Sequence, residues 1–370
     1  MKKRKGLFGY IVIIGIMFII FITIITSDSS SNYYHRPVSL NRLRISNIFS
    51  FKPKINIDEY KPYITMEVVD DGQDIYIPKR VGYRYGPSIM LYEDGSMDAW
   101  FASNGNNSSE WDWITYRHYD GVSWSNEEVV LRPTPKSKDH YSVCDPGVIY
   151  FDGYYYLGYT STENATSGGV ENCGYVARSK NPNGPFEKWN GNGWGGDPEP
   201  IIVYDKNDLA WGAGELSFVA VEEKLYCYYT WIESGGAYTK LAISDLSENW
   251  PAHLVDKGVV IERVNDQGSF DVVYNQENKK FLAFAIEGNF ATNSCVAIYE
   301  SKDGLLFYQT DRIKSGIENF AHNMGISKSP IGHVSMNDNL VIGYAYSKGS
   351  FSTWGRWATK FQKVKLSIIE

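Results

Sequence analysis

Apolar positions along this chain follow two different patterns. Residues 7–26 are apolar almost without interruption. At about 1.5 Å per residue, roughly twenty such residues span the ~30 Å hydrocarbon core of a bilayer, so this stretch predicts a transmembrane helix. From Tyr76 onward the pattern changes to short apolar and aromatic runs separated by polar turns. Residues 86–92 turn at Asp94-Gly95 into 97–103, and residues 145–150 turn at Asp152-Gly153 into 154–160. Residues 215–221 turn at 222–224 into 225–231, and 270–274 turn at 275–278 into 280–286. A fifth run, 324–327, leads through a longer loop to 340–346. An Asp-Gly pair between two such runs is a strong hairpin signal, because the turn needs positive φ at its centre.

A second element follows each of the first four hairpins, with a strand, a polar turn and then an aromatic. The turns at Asp120, Asn183, Asp245 and Asp303 lie 63, 62 and 58 residues apart. A unit of about 60 residues and four strands, repeated five times, is the signature of a five-bladed β-propeller. The predicted fold class is therefore all-β. Residues 1–26 form the cytoplasmic tip and transmembrane segment, 27–75 a Ser/Asn/Pro-containing stalk, and 76–370 the propeller. A β-sandwich is the structural alternative, but 60-residue units are too long for its hairpins.

The flanks set the orientation. Lys2, Lys3, Arg4 and Lys5 precede the apolar run, which keeps the N-terminus cytoplasmic and sends the rest across. The run is longer than a secretory signal's apolar region of about 7–15 residues and ends in Ser27-Asp28-Ser29-Ser30-Ser31 rather than an Ala-x-Ala site. The expectation is an uncleaved single-pass anchor with an extracellular C-terminal domain. With 36 basic and 43 acidic residues the net charge is −7, and the absence of a basic face argues against a nucleic-acid partner. Aromatics make up 15% of the chain; they can fill a core, stack on sugar rings, or do both. Cys144 and Cys173 fall in one unit and are able to pair outside the cell. No zinc, EF-hand, P-loop or dinucleotide pattern is present.

In a propeller the innermost strand of each blade lines the central channel. The residues at the mouth of those strands are Gly86, Asp145, Glu215, Asp271 and the His322-Asn323 pair. Any one of them alone reads as a strand-end cap. Three converging carboxylates shift one another's pKa values, which lets one act as an acid and another as a base. Glycosidic cleavage needs that division of labour. Glu215 follows Trp211-Gly212-Ala213-Gly214, where the glycines either admit a ligand close to the backbone or simply shape a turn. Arg84 and Trp211 are candidate sugar contacts.

The phrases Asp145-Pro146-Gly147-Val148-Ile149 and Asp152-Gly153-Tyr154-Tyr155-Tyr156-Leu157 resemble the inner-strand motif of five-bladed propeller glycosidases. That group comprises glycoside hydrolase family 43 and its relatives in families 32, 62, 68 and 117. The stretch from Ala177 to Phe186 and the Asp303-Gly304-Leu305-x-Phe307 element are similar to outer-blade phrases of the same superfamily. The resemblance implies a carbohydrate substrate, an aspartate base on the first blade, a second aspartate that tunes pKa, and a glutamate acid on a later blade. It implies no cofactor beyond a structural calcium near His322. This chain departs from the pattern at Gly86, where the base would stand. Two expectations follow. One is a membrane-anchored extracellular glycoside hydrolase with Asp145 as base, Glu215 as acid and Asp271 as modulator, assisted by Arg84, Trp211, His322 and Asn323 in binding. The other is a non-catalytic glycan-binding or surface-assembly propeller.

Overall fold

A computed structural model describes residues 61–79, 82–106, 109–165, 169–347 and 355–370. The apolar run at 7–26 and most of the expected stalk lie outside the described residues. Among the described residues no helix is long and apolar enough to cross a membrane.

The strands form five sheets. Blade 1 is β3 (Arg84–Leu91), β4 (Met97–Asn104), β5 (Asp112–Tyr119) and β6 (Glu128–Leu131). Blade 2 is β7 (Cys144–Phe151), β8 (Tyr154–Ser161), β9 (Cys173–Ser179) and β10 (Glu187–Lys188). Blade 3 is β11 (Gly212–Val221), β12 (Lys224–Glu233), β13 (Gly236–Asp245) and β14 (Val255–Glu262). Blade 4 is β15 (Asp271–Asn275), β16 (Lys280–Glu287), β17 (Cys295–Ser301) and β18 (Tyr308–Ile313), with the two-residue β20 (His333–Val334) added in parallel to β15. Blade 5 runs outward from β19 (Ala321–Ile326) through β21 (Leu340–Tyr346) and β22 (Ala358–Ile369) to β1 (Tyr63–Val68), and β2 (Gln73–Tyr76) also pairs with β22. The expected boundary at Tyr76 is thus corrected. Residues 63–76 belong to the propeller, and the last blade is completed by the first strand, with Tyr63 opposite Ile369.

Burial on both faces explains why the inner strands read as continuous apolar runs rather than as an alternation. Successive residues point to opposite neighbours. Ile89 packs into the cluster shared with blade 5 and Met90 into that shared with blade 2. Val148 faces blade 1 and Ile149 blade 3; Phe218 faces blade 2 and Val219 blade 4. Large aromatics fill these wedge-shaped spaces. Trp100, Trp250, Tyr156, Tyr159, Tyr175, Tyr228 and Tyr344 are all fully buried. Core filling therefore accounts for much of the aromatic excess. The hairpin at Asp152-Gly153 has positive φ at both residues, as its sequence predicts. Among the described residues no cysteine forms a disulfide, so Cys144 and Cys173 do not pair.

After β19 the chain crosses the bottom of the channel and touches each of the other blades in turn. Leu91 N donates to Lys328 O at 2.7 Å, Tyr150 N to Pro330 O at 2.7 Å, Ala220 N to Ile331 O at 3.0 Å and Tyr274 N to Gly332 O at 3.0 Å. These four bonds fix the level of the inner strands relative to one another.

Candidate active site

Four of the five inner strands open with the same irregularity. Between Tyr85 and Ser88, Cys144 and Gly147, Gly214 and Ser217, and His322 and Met324, the inner strand holds one residue more than its partner. Such a bulge bends the strand and re-aims a side chain. The residue at each bulge has positive φ: Gly86 at 57°, Asp145 at 51°, Glu215 at 50° and Asn323 at 42°. For a side chain other than glycine this left-handed conformation costs roughly 1–2 kcal/mol. Three polar residues bear that cost, and all four positions line one open pocket. The pocket is a shallow, open depression with about 370 Å³ of empty space, its solvent-filled mouth included.

Glu215 is the most fully supported of these side chains. Its Oε2 accepts from Thr230 Oγ1 at 2.5 Å and its Oε1 from Asn323 Nδ2 at 3.0 Å. Its backbone N–H donates to Thr160 Oγ1 at 2.8 Å. The Arg263 guanidinium, just past β14, lies 3.6 Å from Oε2 and also donates to Thr230. Burial pulls Arg263 below the usual arginine value, and Glu215 counters that shift. The pair is nearly enclosed, at 4% and 14% side-chain exposure, so Arg263 holds the carboxylate from behind while the pocket side stays open. Asp145 sits one blade away, 6% exposed, with Cys144 Sγ 3.2 Å from its Oδ2.

Asp271 lies at a different level. It occupies the position of Ser88 and Ser217, two residues beyond the bulge, as a shared hydrogen bond shows. Val148 N donates to Ser88 Oγ at 3.0 Å, Val272 N to Ser217 Oγ at 2.9 Å, and Ile326 N to Asp271 Oδ2 at 2.9 Å. The residue of blade 4 that matches Asp145 and Glu215 is Ser269, which also lines the pocket. The ladder of inner strand β15 begins at Asp271 with no register shift, and the carboxylate lies on the floor. There its Oδ1 accepts from Lys328 Nζ at 2.5 Å and from Ser217 Oγ at 2.8 Å.

The structure thus brings Asp145, Glu215, Asp271 and Asn323 to one pocket, with Gly86 between Asp145 and Asn323. Arg84, Trp211 and His322 do not line it. Arg84 pairs with Glu127 at 2.5 Å and lies over the Tyr76 ring. The backbone carbonyl of Trp211 accepts from Asn172, tying blade 3 to blade 2. His322 precedes the bulge and points the other way. It is fully buried, stacked on Phe290 at 4.1 Å and set edge-on to Trp357 at 4.4 Å. Burial pushes it down to about 3, with the Phe320 backbone offsetting part of the shift. The rings of Phe290 and Trp357 are not the oxygen ligands that calcium takes. Among the described residues no group of three or more His, Cys, Asp or Glu is placed to hold a metal. Sequence reasoning passed over Thr230, Arg263 and Lys328. Their link to the pocket depends on distant pairing, and no local motif announces it.

Neither a protein-family model nor a curated protein matches this chain in sequence. Solved structures do match its fold. A family 117 glycoside hydrolase from the marine bacterium Zobellia galactanivorans superposes with a TM-score of 0.60 at 15% identity, over 82% of this chain and 90% of that one. The α-L-arabinofuranosidase of Podospora anserina in complex with cellotriose gives 0.57 at 11% identity, over 79% and 95%. An endo-arabinase from Bacteroides thetaiotaomicron gives 0.51 at 14% identity, over 80% and 99%. These neighbours are five-bladed propeller glycoside hydrolases, the group that the Asp145 phrase resembles. At such identities the likeness establishes the shared fold.

Proposed function

We propose that this protein is a glycoside hydrolase whose reacting pair is Asp145 and Glu215. The observation that carries this reading is that both carboxylates stand on equivalent strained bulges and face one pocket. Glu215 is the proton donor to the glycosidic oxygen. Asp145 accepts the proton of the attacking water as the bond to the anomeric carbon breaks. Asn323 orients Glu215 through its amide. Arabinofuranosides and arabinans are the first substrates to test, because arabinofuranosidases and an endo-arabinase are among the structures of similar fold. The sequence of residues 1–26 supports display of the domain outside a membrane, held by an N-terminal anchor.

Gly86 favours a second reading. The one bulge without a side chain stands beside Asp145, so the pocket is able to bind a glycan without cleaving it. Full-length protein incubated with aryl glycosides and polysaccharides, beside a glycan array, separates the two readings. Product formation that disappears in Glu215→Gln and Asp145→Asn supports hydrolysis. Binding without product, with turnover emerging only in Gly86→Asp, supports the binding reading.

A further inference from the structure

The Lys328 side chain crosses the centre of the propeller. Its backbone is bonded to blade 1, with Lys328 N donating to Ile89 O at 3.1 Å and Leu91 N donating back to Lys328 O. Its Nζ lies on the opposite side of the ring. It donates to Asp271 Oδ1 of blade 4 at 2.5 Å and lies 3.4 Å from both Ser217 Oγ of blade 3 and Val272 O of blade 4. In a ring of five, blades 3 and 4 face blade 1 across the axis. A side chain that begins on one and ends on the others must pass through the channel beneath the pocket. Its surroundings are closed, with Lys328 3% and Asp271 12% exposed.

Taken out of water, an ammonium is stable only when paired and hydrogen-bonded. Lys328 meets both conditions through groups from two blades. Both oxygens of Asp271 are in turn engaged, Oδ1 by Lys328 and Ser217 and Oδ2 by the backbone of blade 5. We propose that Lys328 is the positioning residue of this pocket, an internal cation that ties three blades across the axis and fixes Asp271 as its floor. Asp271 is then a structural anion, and the chemistry is left to the level above. As a statement about catalysis this rests on the glycosidase reading; as a statement about the axis it does not.

The test uses the full-length chain. Lys328→Ala removes the ammonium and leaves room for a small amine. The thermal midpoint falls by about 10 °C, the shift expected from breaking one buried ion pair. Added ethylammonium restores most of that loss, and neutral n-propanol does not. On a substrate turned over by the wild type, kcat of Lys328→Ala measured well below its midpoint falls at least 10-fold and recovers with ethylammonium in parallel. Should Lys328→Ala fail to fold, the double variant Lys328→Met/Asp271→Asn decides, because removing both charges restores folding if pairing is the role. An unchanged midpoint, equal rescue by n-propanol, or a double variant no more stable than the single one overturns the proposal. Absence of turnover by the wild type removes the glycosidase reading and leaves the thermal measurements standing.

Discussion

At the mouth of the channel Gly86, Asp145, Glu215 and Asn323 all have positive φ and face open space. Two residues further along the same strands stand Ser88, Gly147, Ser217, Asp271 and Gly325, and there every neighbouring blade is in contact. Ser88, Ser217 and Asp271 each accept a backbone N–H from the next blade. Gly147 and Gly325 meet it directly, since a Cβ on either would lie 1.8 Å from Leu216 O or 1.9 Å from Pro87 O. The lower level is where the five blades are stitched together. The upper level carries strain and polar groups that this stitching does not need. Strain held in place by surrounding structure clusters at functional sites, and here the two levels are one dipeptide apart.

Substitutions at the two levels separate these roles. The largest effect is on turnover: Glu215→Gln keeps the shape of the side chain but removes the proton donor. We expect a loss of about 10³-fold, equivalent to about 4 kcal/mol of barrier. Because Gln leaves the buried Arg263 without its counter-charge, stability in urea should fall as well, by about 3 kcal/mol. Turnover is therefore read well below the unfolding midpoint; wild-type turnover there would remove Glu215 from the chemistry. Next come Gly147→Ala and Gly325→Ala, which drive a methyl into a backbone carbonyl. Each should cost about 3 kcal/mol of stability in denaturant unfolding, and a neutral result would dissolve the distinction between levels.

A pH-dependent effect comes from His322, buried beside the mouth, small near neutral pH and growing as the solution is acidified. Its native pKa, about 3, lies below the ordinary value of 6.5. Below pH ~6.5 the unfolded chain binds a proton that the native state refuses. Its share of stability is therefore complete above that pH and is lost as pH falls toward 3, by about 1.4 kcal/mol per pH unit. His322→Phe keeps the stack on Phe290 and should flatten this part of the profile, measured by urea unfolding at several pH values. The smallest effect is at Gly86. A Cβ there finds its nearest neighbours at 3.8–4.0 Å, so Gly86→Ala meets no clash and bears only the left-handed penalty. A loss of about 1 kcal/mol is expected, against three times that at Gly147.

Much of this architecture was legible in the chain. Turn residues and the spacing of Asp120, Asn183, Asp245 and Asp303 led to five blades, because hairpin geometry is local. The positions of Asp145 and Glu215 at strand mouths followed from the same repeat. Asp271 reads as a mouth residue although it lies one level lower, because nothing in its local sequence marks where the ladder of β15 begins. His322 and Asn323 were read as a pair, and the bulge between them sends one to the core and the other to the pocket. Lys328 was invisible as a partner of Asp271, 57 residues away. The first strand was taken for stalk because its partner, β22, lies at the far end of the chain.

That last pairing has a consequence in time. Tyr63–Val68 leaves the ribosome long before its partner Ala358–Ile369, with every other strand of the propeller made between them. Closing a loop of this length is entropically costly and gains nothing until the far strand arrives. The ring therefore cannot shut until β22 has been made. Asn323, which lines the pocket, and Lys328 beneath it are made after the strands of blades 1 to 3. The binding site and the closed propeller both wait on the fifth blade.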